Sequence, residues 1–329
     1  MIQVEGLTKR YARNVAVDHV SFSVEKGQIV GFLGPNGAGK TTTMRMLTCF
    51  MPPSEGTASI AGFDVVKQPL EVKKRIGYLP ESPPLYPDME VGEYLQFVAR
   101  IKGIPEKEVL KRSEEAASRC FVKDVWSKLI GKLSKGYRQR VGLAQAIIHN
   151  PEVLILDEPT SGFDPKQILE TRNLIKSLAG EHTIVLSTHI LQEVEAMCES
   201  LVIINKGKIA KSGTIEDLTR RNGALVEVSV PGGSADELVL KAPFAKLDGV
   251  SAVHAKQTVE GLWRIDIDTA TSADIRPQLA QIVLGNQWNL HRLDSTAVSL
   301  NDLFLSLTSP VADPVVEPVV EAVPEETQQ

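Results

Sequence analysis

The chain has 329 residues, 43% of them hydrophobic and 23% charged, which suits a globular protein of two domains. No apolar run approaches the roughly 20 residues that span a bilayer, and the start MIQVEGLTKR carries no signal-peptide stretch. A cytoplasmic protein is therefore expected, any membrane role needing another chain. The net charge is −5, but the last 18 residues hold five acids (Asp313, Glu317, Glu321, Glu325 and Glu326); setting these aside leaves 36 acids against 36 Lys and Arg. A neutral body lacks the basic footprint of a nucleic-acid binder.

Residues 1 to about 33 read as strands. In VAVDHVSFSVEKG the apolar residues Val17, Val20, Phe22 and Val24 mostly alternate, and QIVGFLG is the short apolar run of a buried strand. TTTMRMLTCF then reads as a helix that ends at the prolines of MPPSEGTASIAG, where another strand begins. Residues 91 to 121 switch to helical spacing with interleaved charges. KGYRQRVGLAQAIIH is a further helix, stopped by Asn150-Pro151. The strands VLIL and TIVLST flank the helix KQILETRNLIKSLA, an order that implies a parallel sheet.

Composition shifts near residue 220, so 1–220 is expected to be one domain and 224–308 a second. The latter reads strand, helix, strand, strand, helix, strand, a small ferredoxin-like α+β unit, and the short helix SLNDLFLSL follows. Its task is open among regulation, dimerisation and packing. Residues 310–329, PVADPVVEPVVEAVPEETQQ, are expected to be a disordered acidic tail. Cys49, Cys120 and Cys198 are few and widely spaced, which suggests core residues rather than disulfides or zinc ligands.

The chemistry begins at GPNGAGKT, residues 34–41, with Thr42 next. Gly34, Pro35, Asn36, Gly37, Ala38, Gly39, Lys40 and Thr41 fit G-x-x-x-x-G-K-[ST] between a strand and a helix. Glycines let successive N–H groups curl around a phosphate, and the helix N-terminus adds partial positive charge. Lys40 is placed to reach the β- and γ-phosphates, and Thr41 to ligate Mg²⁺. The motif alone says nucleotide and no more. VLILDEP adds Asp157, placed to hold the Mg²⁺ shell, and Glu158, placed to align or deprotonate a water for in-line attack.

KLSKGYRQR, residues 132–140, resembles the LSGGQ signature of the ABC-transporter ATPase family; Ser134 and Gly136 match its second and fourth positions. Lys135 and Tyr137 depart from it, and Lys135 either adds charge near the phosphate or lies in solvent. In order and spacing, SGFDP resembles the D-loop with Asp164 as its aspartate, LSTHI the switch-histidine loop with His189, and Tyr11 the aromatic that stacks on adenine. After the strand IGYLP the family usually has a glutamine that senses Mg²⁺ and the attacking water. Glu81 stands there, still able to ligate Mg²⁺. The three prolines of SPPLYPDMEVGEYL, Pro83, Pro84 and Pro87, stiffen the next loop, which in the family faces the membrane partner.

The resemblance spans residues 1 to about 220. It implies a P-loop ABC-type ATPase that binds ATP and Mg²⁺, works as a dimer, and sits on the cytoplasmic face of the cell membrane through a separate integral-membrane permease. The closing segment and the variant motifs resemble exporter subunits linked to gliding motility and to drug or polysaccharide export. A soluble ABC ATPase of the ribosome or DNA is the alternative. Against it stand a single P-loop, only 117 residues from Lys40 to Asp157, and no sustained heptads. A GTPase would want N-K-x-D, and NKGK at 205–208 lacks the aspartate.

Overall fold

The structure is a computed structural model that describes residues 1–231, 236–258, 261–270, 274–297 and 299–308. The expected tail at 310–329 lies outside the described residues. In chain order the first strands are β1 Ile2–Tyr11, β2 Asn14–Val24 and β3 Ile29–Leu33, followed by helix α1 Lys40–Leu47. Then come β4 Glu55–Ile60, β5 Phe63–Asp64, α2 Pro69–Arg75 and β6 Ile76–Leu79. Helices α3 Val91–Ile101, α4 Glu106–Arg119 and α5 Lys135–Ile147 precede β7 Val153–Asp157. Next are α6 Pro165–Ser177, β8 Thr183–Thr188, α7 Leu191–Met197, β9 Ser200–Asn205 and β10 Lys208–Thr214. The chain goes on through α8 Ile215–Thr219, β11 Arg220–Ser229, α9 Glu237–Ala245, β12 Val250–Gln257 and β13 Trp263–Thr269. It ends with α10 Arg276–Gly285, β14 Asn289–Ala297 and α11 Leu300–Thr308.

These strands make three sheets, ordered β2-β1-β4-β5, β10-β9-β3-β8-β7-β6 and β12-β13-β11-β14. In the six-stranded sheet β9, β3, β8, β7 and β6 run parallel, and β10 is an antiparallel edge. Its apolar strands are buried on both faces, as near-continuous apolar runs require. Alternate residues feed two cores. Leu33, Leu154, Leu156, Leu186 and Ile203 face the helices α3 to α7, whereas Phe32, Ile155, Val185 and Ile204 face α1 and the first antiparallel sheet.

Close helix–sheet packing leaves Gly77 of β6 no room for a side chain, since a Cβ there would run into the Ala146 carbonyl of α5. Gly77→Ala is expected to cost about 1–3 kcal/mol by overpacking, read as a lowered urea midpoint at unchanged slope.

The third sheet is antiparallel throughout, with spatial order 4-1-3-2 for its own four strands. It carries a core of its own around Val226, Phe244, Ile265, Leu279 and Trp288. The short helix read from SLNDLFLSL is α11. It returns to the parallel sheet, where Asn205 Nδ2 donates to the Leu307 carbonyl at 2.9 Å. Cys120 and Cys198 are buried and Cys49 is half-buried, all as free thiols. Among the described residues no helix is long and apolar enough to cross a membrane.

Candidate functional site

Parallel strands end on one edge of their sheet, and an open parallel sheet binds ligands beyond those ends. Here β3, β8, β7 and β6 are consecutive neighbours. Each is followed by a segment that sequence reading marked: the glycine loop after β3, His189 after β8, Glu158 after β7 and Glu81 after β6. The four segments meet around one cleft of 450 Å³.

Asn36, Gly37, Gly39, Lys40, Thr41 and Thr42 form one wall, and Glu81, Glu158 and His189 stand opposite. Ala16, which no motif had flagged, and Ser161, the first residue of SGFDP, also line it. The glycines have different reasons. A Cβ on Gly34 would strike the Ile204 carbonyl, and one on Gly39 would lie 2.6 Å from the Ala16 oxygen. Gly37 has open space but a φ of +77°, a conformation that L side chains rarely adopt. The Ala38 N–H donates to the Pro35 carbonyl at 3.2 Å, closing the turn, and Ala38 itself is buried.

Lys40 is 6% exposed, and its ammonium donates to the Gly34 carbonyl at 2.8 Å and the Pro35 carbonyl at 3.3 Å. It also lies 3.5 Å from Glu158 Oε1. On its other side Glu158 Oε2 lies 2.8 Å from His189 Nδ1. Glu158 is 7% exposed and holds a φ of +50°, a sparsely populated region for a non-glycine residue. Its N–H donates to the Ser187 carbonyl at 3.0 Å, which fixes the turn from outside. Strain of this kind clusters at working sites.

Asp157 lies one residue behind, fully buried at the end of β7. Ser187 Oγ donates to its Oδ1. Its Oδ2 is buried with no hydrogen-bond partner. A buried carboxylate oxygen left unpaired is costly. This donor set, with the Thr41 hydroxyl at the start of α1, fits a hard divalent cation such as Mg²⁺.

Tyr11, Ser134, Gly136 and Asp164 are not among the residues lining the cleft. Tyr11 closes β1, is 44% exposed as a residue, and has its hydroxyl 3.0 Å from Met51 Sδ. Ser134 caps α5, its Oγ accepting from the Tyr137 N–H at 3.3 Å. Gly136 packs so closely on α6 that a Cβ would lie 2.8 Å from Gln167 Oε1. Asp164 caps α6, accepting from the Gln167 N–H at 2.8 Å. The Lys135 ammonium lies over Gly162 in the SGFDP loop.

A second, larger groove of 770 Å³ opens elsewhere, lined by Phe50, Leu70, Ile101 and the prolines Pro80 and Pro84. Arg45, Lys73, Lys74 and Lys102 also line it, with no acid. At its floor burial, helped by Lys102, holds the His149 imidazole down to about 4. An unfolded His titrates near 6.5. Between those values the unfolded chain takes up a proton that the folded chain refuses. Stability is therefore complete above about pH 6.5 and falls by about 3 kcal/mol as pH drops towards 4. His149→Gln is expected to flatten that limb of a stability–pH curve measured by urea unfolding.

A glycine loop between strand and helix, with an acidic pair ending a nearby parallel strand, defines a P-loop nucleoside triphosphatase. Comparison with known proteins narrows the class. A family model described as "ABC transporter" matches residues 17–161. The bacitracin transport ATP-binding protein BcrA of Bacillus licheniformis is 42% identical over 269 residues, which are 79% of this chain and 87% of that one. Nod factor export ATP-binding protein I of Ralstonia nicotianae is 39% identical over 311 residues, 94% of each chain. A solved structure of an ATP-binding subunit of an ABC transporter is 31% identical, with a TM-score of 0.62 over 67% of this chain and 92% of that one. The chain belongs to the ABC transporter ATP-binding subunits, and it is an ATPase.

Proposed function

We propose that this chain powers a separate integral-membrane permease of an exporter, working as a homodimer at the cytoplasmic face of the membrane. The observation that best supports this is the split of its marked residues. Lys40, Glu81, Glu158 and His189 share one cleft, while Ser134, Gly136 and Asp164 lie outside it. In this reading a second copy supplies the missing groups. Each ATP lies between Gly34–Thr42 of one chain and the Ser134–Gly136 helix end of the other, whose free N–H groups suit a phosphate. Asp164 belongs to the loop where the two copies meet, and Tyr11 stacks on adenine.

Within the cleft Lys40 leaves its two carbonyls for the β- and γ-phosphates. Glu158, held between Lys40 and His189, orients the attacking water and takes its proton. His189 then lies where a γ-phosphate oxygen would be met. Mg²⁺, held by Thr41 and Asp157, supplies neutralisation of phosphate charge. Glu81 faces the same cleft as a further oxygen donor, and is proposed to couple metal occupancy to the proline-stiffened loop after it. Residues 1–220 make up the ATPase domain in this account, and 224–308 an accessory domain for dimerisation or regulation.

Export is proposed by analogy with Nod factor export, the role that gives one relative its name, and bacitracin transport in another relative supports a transport role. The 770 Å³ groove beside that loop is the proposed seat of the permease. Its four cations and lack of acids favour an apolar segment that carries a carboxylate. Affinity capture from detergent-solubilised membranes of the native cell tests the reading. A polytopic membrane protein should co-purify, and Lys102→Glu should reduce its recovery. Ribosomal or DNA-bound partners with no membrane protein would overturn the transport role and leave the ATPase standing.

A further inference from the structure

Glu193 carries no motif assignment, yet it is completely buried on α7. No ion pair involves it among the described residues. Its two oxygens are taken by two hydroxyls, one from the loop after β7 and one from the last residue of β8. Thr160 Oγ1 donates to Oε1, and Thr188 Oγ1 donates to Oε2 at 2.8 Å. Both threonines are buried, at 3% and 0% exposure. Thr160 is two residues after Glu158, and Thr188 immediately precedes His189.

The contacts close a ring. Glu158 meets His189 at 2.8 Å, His189 follows Thr188, Thr188 and Thr160 share Glu193, and Thr160 leads back to Glu158. Two further bonds stiffen it. The Ile190 N–H donates to Thr188 Oγ1 at 3.0 Å, and the Ser161 N–H donates to the Glu158 carbonyl at 3.1 Å. Burying a carboxyl group without a cation is unfavourable unless its hydrogen bonds are complete. An ionised carboxylate accepts only, so it matches two hydroxyl donors that a shape-filling Leu or Met could not hold.

We propose that Glu193 is a positioning residue. Through Thr160 and Thr188 it keeps the loop after β7 and the loop after β8 in register, so that Glu158 and His189 stay in contact while the cleft works. The proposal rests on the reading that Glu158 and His189 act on ATP. It sets Glu193 apart from the groups that touch nucleotide: its loss should slow turnover without loosening binding.

The test is a hydroxyl-against-shape comparison in the full chain. Thr160→Val keeps shape and loses the hydroxyl, whereas Thr160→Ser keeps the hydroxyl and loses a methyl. Thr188→Val and Thr188→Ser form the matching pair. Turnover at saturating Mg-ATP and ATP affinity by equilibrium dialysis are read well below the melting temperature. Each Val variant is expected to lose about tenfold or more in turnover, with affinity within about twofold of the parent. Each Ser variant should stay within about threefold of parent turnover, and the double Val variant should be little worse than either single. Glu193→Gln keeps the shape and offers an N–H₂ group to one hydroxyl. It should slow turnover with affinity retained, and it carries the test if a Val variant fails to fold. Parent-like turnover in both Val variants, Ser variants as poor as Val, or affinity falling in step with turnover would overturn the clamp. Glu158→Gln separates the two levels. If it is inactive while the Val variants work normally, the clamp alone is wrong; if it turns over normally, the assignment of Glu158 fails and the clamp with it.

Discussion

Glu158→Gln is expected to lower ATP turnover by about 10³-fold while ATP affinity holds or rises. Glutamine keeps the shape of the side chain and a hydrogen-bonding oxygen at the turn. It cannot take a proton from water, and it carries no charge to repel the γ-phosphate. The parent carboxylate is confined on both sides, by Lys40 at 3.5 Å and His189 at 2.8 Å, in a 7%-exposed position. No nearby carboxylate inherits that place, because Glu81 stands on a different strand end and Asp157 is turned to Ser187. Phosphate release gives the rate, and light scattering with Mg-ATP should show a dimer that persists because hydrolysis no longer dissolves it. Turnover within tenfold of the parent would mean that another group serves as the base.

Lys40→Ala should weaken ATP binding by about 100-fold or more and abolish measurable hydrolysis. The ammonium lines the cleft and is held by two main-chain carbonyls of the glycine loop. Its removal takes away the phosphate contact and also leaves Glu158 with less positive charge beside it, so the cleft becomes more acidic just where phosphates must sit. Titration with a fluorescent ATP analogue measures the loss. The fold should survive, because the hydrogen bonds of the ammonium end on carbonyls of its own loop, and the thermal midpoint in the absence of nucleotide should move by only a few degrees.

Much of the site was readable because its motifs are local. A glycine loop, an acidic pair after an apolar strand and a histidine after another strand each keep their meaning within a few residues. The alternating strands and the helices of 224–308 were readable for the same reason, but only the β12–β13 hairpin follows from a short connection; the pairing of β11 with β13 and β14 spans intervening helices. Neighbour relations were hidden. Nothing in VLILDEP or LSTHI says that β8 lies between β3 and β7, and that order brings four loops to one cleft. The strand SLVIIN and the antiparallel edge β10 were passed over because the motifs lie elsewhere.

Glu193 was unreadable on principle. In LQEVEAM it looks like one more charge on a solvated helix, and only the packing of α7 against two loops turns it inward. The apolar groove was hidden for another reason: its walls come from α1, α2, β6, α3 and α5, distant in sequence. Ala16 was missed because a small residue carries no chemical signal until a cavity forms beside it, and Ser161 stood in SGFDP with a role read only for Asp164.

The central claim is that each ATP site needs two copies of this chain, and mixing two dead variants tests it most directly. Lys40→Ala spoils the cleft of its own chain, and Ser134→Arg spoils the helix end offered to a neighbour. If sites form between chains, a mixed dimer contains one site with both lesions and one with neither. Random pairing then predicts recovery to about a quarter of the parent rate in an equimolar mixture, with neither variant active alone. No recovery at any mixing ratio, with both proteins folded and exchanging subunits, would contradict the account and place Ser134 in the service of its own chain's cleft or of neither.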